Sequence, residues 1–224
     1  MLIYLEGNIG SGKSTFIKFL NNKLKEVNIP YVVLPEPVKE WENLKDSSGK
    51  NVLEHYYDDI QKMAFPFQMN AFISRLKGLM EIKEKNPNKI IFVERSVFTD
   101  RNVFTKLNYE NGNLSEIEYN IYNEWFEYFV DKFDLRPNGY IYLDTEYHVC
   151  NQRIKSRNRN GESNIPLKYL EQLEIYHNKL LLDENENNGI KILKINSNID
   201  FFQNEKLLDL EINKIAKFLI ELSN

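Results

Sequence analysis

The sequence predicts an α/β fold: a five-stranded parallel sheet flanked by helices, with residues 1–224 forming one domain. Three observations predict it. Five short apolar runs alternate with long helix-patterned segments, the signature of βαβ units. Most of the runs are apolar on both sides and rich in β-branched or aromatic residues, which suits strands covered on both faces. A glycine-rich stretch ending in Lys-Ser-Thr follows the first run and opens the first helical segment. At 42% hydrophobic residues the chain can bury a sizeable core.

In chain order the strands are "LIYL" (2–5), "YVVL" (31–34), "IIFV" (90–93), "YIYL" (140–143) and "IKILKI" (190–195). Helical patterns lie near 13–27, 50–85, 114–133, 145–158, 166–183 and 204–222. The Asn-rich stretches at 108–113 and 184–189 read as surface loops. Ligands of open parallel sheets bind at the carboxyl ends of strands, so the residues just after each run are the candidates for chemistry.

After the first strand, "GNIGSGKST" spans Gly7, Asn8, Ile9, Gly10, Ser11, Gly12, Lys13, Ser14 and Thr15. It fits the phosphate-loop pattern G-x-x-x-x-G-K-[ST] in its strand–loop–helix context. Glycines let backbone N–H groups wrap a phosphate, and the helix N-terminus adds partial positive charge. Lys13 would reach the β/γ phosphates, and the Ser14 hydroxyl would ligate Mg²⁺. After the second strand, Glu36 in "EPVKEW" stands where a general base could face the same crevice. After the third, "ERS" supplies Glu94, a candidate for ordering Mg²⁺, then Arg95. After the fourth, Asp144 is a rival for the Mg²⁺ role, but "LDTE" reads better as a helix N-cap, with Asp144 the capping residue. Arg153 and Arg157 share a helix face, with Arg159 in the exit loop. Three guanidiniums there would neutralise charge moving in phosphoryl transfer. In "FPFQMNAFISR", Gln68, Ala71 and Arg75 lie on one helix face, although a helical apolar stripe seldom carries Gln and Arg.

These motifs together resemble the deoxynucleoside kinase family. "GNIGSGKST", "EPVKEW", "FPFQ", "ERSVFTDR", "RIKSRNRNGE" and "IPLKYLEQL" follow the family's order and approximate spacing from residue 2 to about 183. The resemblance implies a P-loop kinase with an Arg-rich lid near 153–162, ATP as donor, Mg²⁺ and a homodimer. It implies that Lys13 and Ser14 bind ATP phosphates and Mg²⁺, that Glu36 accepts the 5′-hydroxyl proton, and that Glu94 orders Mg²⁺. Arg95 would sit by the 5′-oxygen and the transferred phosphoryl, and Arg153, Arg157 and Arg159 would form the lid. Trp41 would line the sugar and base pocket, and Tyr57 and Glu162 would hold the 3′-hydroxyl. Phe67 and Phe104 would flank the base, Gln68 would bond its edge, and Arg75 with Asp100 would stand at its far end. Two departures bear on the pocket: Gly161 stands where deoxycytidine kinases carry a second acid, and Tyr56 where they carry methionine. The adenine-contacting loop is expected near Asn196–Phe201.

The expected reaction is ATP-dependent 5′-phosphorylation of deoxynucleosides for nucleotide salvage, with deoxycytidine or purine deoxynucleosides favoured over thymidine. The alternatives are a thymidylate-type monophosphate kinase and a P-loop switch without transfer. Against the first, Glu36 would face a substrate phosphate of like charge. Against the second, "NKLK" (22–25) and "NKLL" (178–181) lack the Asp of a guanine-reading N-K-x-D. A net charge of −4 with no basic run longer than two argues against a nucleic-acid polymer. No apolar stretch nears the ~20 residues of a membrane span. One cysteine excludes an internal disulfide and, with no targeting segment visible, suggests a cytoplasmic protein.

Overall fold

The computed structural model describes residues 1–24, 30–159, 162, 165–184, 189–199 and 205–223. Five strands form one sheet: β1 (Leu2–Glu6), β2 (Tyr31–Leu34), β3 (Ile90–Glu94), β4 (Gly139–Asp144) and β5 (Lys191–Asn196). Their order is β2-β3-β1-β4-β5, and every neighbouring pair is parallel. β1 is therefore central, and the chain turns from one side of it to the other between β3 and β4. That is the switch point where such sheets bind ligands, and the Gly-rich loop leaves β1 there.

Alternation along β1 divides the core. Leu2 and Tyr4 face one layer and Ile3 and Leu5 the other, all buried. One layer is built on α4 (Ile60–Lys85), α7 (Glu116–Phe133) and α9 (Leu167–Asn178), with Phe72, Phe126 and Leu173 buried against the strands. The other holds α1 (Lys13–Leu24) and α10 (Glu205–Ser223), with Phe16, Leu20, Ile215 and Phe218 beneath the sheet. A third cluster of Trp41, Leu53, Tyr56, Ala64, Phe67 and Ala71 forms from α2 (Val38–Asn43), α3 (Val52–Asp58) and α4, above the carboxyl ends of the strands.

Several element boundaries differ from the sequence expectation. The single helix expected over 50–85 is two, because Asp59 leaves helical geometry (φ −144°, ψ 79°) and its side chain accepts from Lys62 N to cap α4. Residues after β3 are helical where no helix was expected: α5 (Val97–Thr99), a wider π-helical turn at Asp100–Thr105, and α6 (Lys106–Glu110). The expected Asn-rich loop at 108–113 thus begins inside α6. α8 (Tyr147–Arg157) starts without a side-chain cap. Asp144 is not its N-cap: it ends β4, and its carboxylate pairs with Lys194 on the adjacent strand at 2.9 Å. The helix over 166–183 also ends earlier as an α-helix and continues as a wider turn, Lys179–Glu184.

Candidate active site

The Gly-rich loop is shaped by close approaches that exclude a side chain. Gly7 has φ +147°, and a Cβ there would lie 2.7 Å from Ser11 Oγ and 2.8 Å from the Leu143 carbonyl. Gly10 has φ +82°, and its Cβ would meet the Cys150 carbonyl of α8 at 2.5 Å. Only glycine fits both constraints. Ile9, Gly10, Gly12, Lys13, Ser14 and Thr15 line a cavity of about 540 Å³. Asn8 and Ser11 are buried in the protein instead, and Asn8 Nδ2 donates to the Leu170 carbonyl of α9 at 2.8 Å.

Lys13 is 5% exposed, and its Nζ donates to the Gly7 and Asn8 carbonyls at 3.0 and 2.8 Å. Burial, reinforced by the Arg95 charge, pushes its amine down to about 7, against the pull of Glu36, Glu94 and Glu6. An anionic phosphate here would restore the charge. Ser14 Oγ donates to Glu94 Oε1 at 2.5 Å, joining the loop to the end of β3.

At the ends of β2 and β3 lies an ion-pair chain. Glu36 Oε1 accepts from Arg75 Nη2 at 2.5 Å and from Arg95 Nε at 3.1 Å. Arg75 Nη1 continues to Asp100 Oδ1 at 2.6 Å, and the Tyr122 hydroxyl donates to Asp100 Oδ2 at 2.7 Å. Burial opposes ionisation of Glu36, but Arg95, Arg75 and Lys13 together outweigh it and hold the carboxyl well below the usual range. For Asp100 burial wins over Arg75, and its carboxyl is raised. Arg95 takes the left-handed conformation at φ 67°, which costs a non-glycine residue about 1–3 kcal/mol. Its N–H donates to the Leu5 carbonyl, Nη2 to the Gly7 carbonyl at 3.1 Å, and its guanidinium lies over the Phe104 ring at 4.5 Å.

The far part of the cavity is aromatic. Tyr56 stacks on Phe67 (4.5 Å between centroids), and Trp41 meets Phe67 edge-on at 5.6 Å. Trp41 Nε1 donates to Ser74 Oγ at 2.9 Å, and the Arg75 guanidinium lies 4.9 Å over its ring. Gln68, Arg75 and Ala71 share a buried face of α4. Gln68 and Arg75 line the cavity, and Gln68 Oε1 accepts a long bond from Thr105 Oγ1 at 3.5 Å. Tyr57, Phe104, Asp100 and Glu162 line the same cavity. Glu162 pairs with Arg157 and, at 2.9 Å, with Arg159. Arg153 also lines the cavity, but its guanidinium donates to two backbone carbonyls, Ser11 at 3.2 Å and Ser197 at 2.8 Å. Gly161 and, in the expected adenine-contacting loop, Asp200 and Phe201 lie outside the described residues.

A family model of deoxynucleoside kinases matches residues 3–219. The chain belongs to the deoxynucleoside kinase family. Among curated relatives of these kinases, a probable deoxycytidine kinase of fowlpox virus is 34% identical, the alignment covering 98% of this chain and 88% of the relative. Human deoxycytidine kinase is 34% identical (96% and 85%) and a mitochondrial deoxyguanosine kinase of Xenopus laevis 32% (97% and 89%). The chain is therefore a phosphotransferase acting on deoxynucleosides with a nucleotide phosphoryl donor. None of its described helices is long and apolar enough to cross a membrane.

Sequence reasoning singles out neither Lys18, Val38, Leu53 and Tyr169, which also line the cavity, nor His177, which contacts Arg95. His177 on α9 is fully buried and faces Arg95 Nη1 at 3.3 Å. It follows the "IPLKYLEQL" motif by four residues, one helical turn past Leu173, and only that turn could have flagged it.

Proposed function

We propose that this kinase transfers the γ-phosphoryl group of ATP to the 5′-hydroxyl of a deoxynucleoside, favouring deoxycytidine and purine deoxynucleosides over thymidine. The observation that carries it is the Glu36 carboxylate, held by Arg75 and Arg95 between a phosphate-loop lysine and an aromatic pocket in one cavity. Phosphate-binding and base-sized walls then meet at a single carboxylate.

The donor phosphates lie along the Gly-rich loop, against Lys13 and the N-terminus of α1. Ser14 and Glu94 fit Mg²⁺: a hydroxyl and one carboxylate 2.5 Å apart beside a phosphate site are the sparse protein donors that this ion combines with substrate phosphates. Bound there, it would supply positive charge to the transferring group. The base slots between Phe67 and Phe104, with Gln68 on its edge, and Trp41 lines the sugar. Tyr57 and Glu162 hold the 3′-hydroxyl, which leaves little room for a 2′-hydroxyl.

A sugar hydroxyl is far less acidic than a carboxylic acid of pKa ~4.3, and the arginines weaken Glu36 further as a base. Glu36 therefore orients O5′ and takes its proton late, as the O5′–Pγ bond forms and the bond to ADP breaks with its electron pair. Arg95 meets the transferred phosphoryl, and Lys13, Arg157 and Arg159 offset charge moving toward ADP. Arg153 acts from its two backbone anchors, joining the lid near 153–162 to the phosphate loop. The buried Cys150 suits a reducing compartment such as the cytoplasm.

Gln68 alone does not choose the base, since its amide offers both a donor and an acceptor. Arg75 and Asp100 choose: they crowd a thymine 5-methyl group, Asp100 accepts from an exocyclic amine and Arg75 donates to a purine N7 or O6. Initial rates for the four deoxynucleosides test this. Deoxycytidine or a purine deoxynucleoside should give the highest kcat/KM, and thymidine as the best substrate would overturn the reading.

The kinase also pairs with a second copy of itself. A groove runs between α4 and α7, lined by Ile73, Leu76, Met80, Phe129 and Phe133 and by Lys77, Glu81, Lys83 and Glu84, with Trp125 (45%) and Tyr128 (50%) exposed beside it. A patch this apolar favours a covering partner.

A further inference from the structure

We infer that His177 is a positioning residue for Arg95, an uncharged acceptor that fixes the guanidinium without cancelling its charge. Three groups face the ring's nitrogens: the Leu173 carbonyl, the Arg95 guanidinium and the Gly7 carbonyl. Nδ1 lies 2.6 Å from the Leu173 carbonyl, which can only accept, so Nδ1 carries the proton. Nε2 lies 3.3 Å from Arg95 Nη1, which can only donate, so Nε2 is bare. The Leu173 and Arg95 contacts are both met by the neutral Nδ1–H tautomer, and the Gly7 carbonyl beside the ring already accepts from Arg95 Nη2. The imidazole is boxed by Tyr142, parallel at 6.4 Å, and by Phe104, edge-on at 6.0 Å. Its charged neighbours Arg95 and Lys13 are both cations, which disfavours a third positive charge.

The other acceptors of Arg95 give this contact its meaning. Nη2 is held by the Gly7 carbonyl and Nε by Glu36. Glu36 is the one anion of the three, and it must also serve the substrate hydroxyl. A carboxylate at 177 would fix Arg95 equally well but neutralise it. The helix bearing His177 also holds the phosphate loop: Leu170, two turns earlier on the same face, accepts from Asn8. α9 thus sets the distance between Arg95 and the donor phosphates.

The inference rests on Arg95 acting at the transferred phosphoryl group. Steady-state kinetics of the full chain with ATP and deoxycytidine should show His177→Leu lowering kcat by about 10–100-fold, since small misplacements of a reacting group cost that much. The KM values for both substrates should move by less than about threefold, because uniform binding is untouched. His177→Gln, which restores a neutral acceptor, should recover most of the loss. Equal losses in both variants, or an unchanged kcat in His177→Leu, would overturn the role. Arg95→Lys separates the two claims. If it turns over normally, the reading of Arg95 fails; if it is crippled while His177→Leu is normal, only this inference fails. Should His177→Leu not fold, ¹⁵N spectra of the histidine-labelled intact protein decide. The His177 signal, identified by its loss in His177→Gln, should show a protonated Nδ1 and a bare Nε2. A protonated Nε2 overturns the inference.

Discussion

Lys13 and Glu36 stand at the donor and acceptor sides of the proposed transfer, so their loss should be felt in different constants. Lys13→Ala should weaken ATP binding and lower kcat together. Glu36→Gln should lower kcat by at least about 10²-fold, the low end of general-base contributions, with ATP affinity little changed. Titration calorimetry with ATP beside single-turnover kinetics separates the two, and near-normal turnover in Glu36→Gln would remove it from the mechanism. Tyr57→Phe keeps the ring and loses a hydroxyl. Preference for a deoxynucleoside over its 3′-deoxy analogue should then fall by roughly tenfold, the equivalent of about 1–1.5 kcal/mol for one hydrogen bond, while exclusion of ribose persists; an unchanged 3′-hydroxyl preference would show that Tyr57 does not read the sugar. Residues of the phosphate loop were legible because their backbone geometry is local, dictated by glycine spacing. The Arg75 link to Glu36 was not legible. The family resemblance pairs Arg75 with Asp100, a contact present at 2.6 Å, but the second bond, at 2.5 Å to Glu36, joins residues from different elements that meet only when the sheet closes.

At the scale of elements, α4 carries the clearest test. Its Arg75 bridges two carboxylates, so Arg75→Met alone leaves Asp100 buried without its cation, and Asp100→Ala alone leaves a buried guanidinium half paired. Each single change should cost about 3–5 kcal/mol in urea unfolding, the range for a broken buried pair. The double change should cost less than the sum and raise thymidine kcat/KM relative to deoxycytidine. It should also lower kcat overall, because Glu36 loses one of its two holders. Fully additive losses would mean that the pair is uncoupled. The junction from β1 to α1 offers a second test: Gly7→Ala meets backbone at 2.8 Å in a conformation unfavourable to alanine, and should destabilise by more than about 1 kcal/mol. Strands were legible from their apolar runs, whereas helix boundaries were not. The break at Asp59 depends on one residue's backbone angles, and the π-helical turn at Asp100–Thr105 lies inside a motif that reads as site rather than helix. The expected Asp144 cap failed because β4 pairing runs through Asp144, so the helix begins only at Tyr147, after Glu146.

For the whole molecule, strand order decides where the chemistry happens. The phosphate loop, Glu36 and the Glu94–Arg95 pair leave three strands that lie side by side, β1, β2 and β3, on the β2 side of the switch. Alternating runs implied a parallel sheet, but its order is set by long-range pairing and could not be read from the runs alone. Pairing through the α4/α7 groove predicts a light-scattering mass near twice the 26.7 kDa chain, shifted toward the monomer by Ile73→Glu; a monomeric unaltered protein would contradict it. The proposed acceptor is a nucleoside hydroxyl and not a nucleotide phosphate. The direct measurement supplies γ-labelled ATP and Mg²⁺ with deoxycytidine, dCMP or dTMP and follows where the label goes. Labelled dCMP should form from deoxycytidine, and no labelled diphosphate from either monophosphate. Label transferred to dCMP or dTMP, with deoxycytidine left untouched, would contradict it.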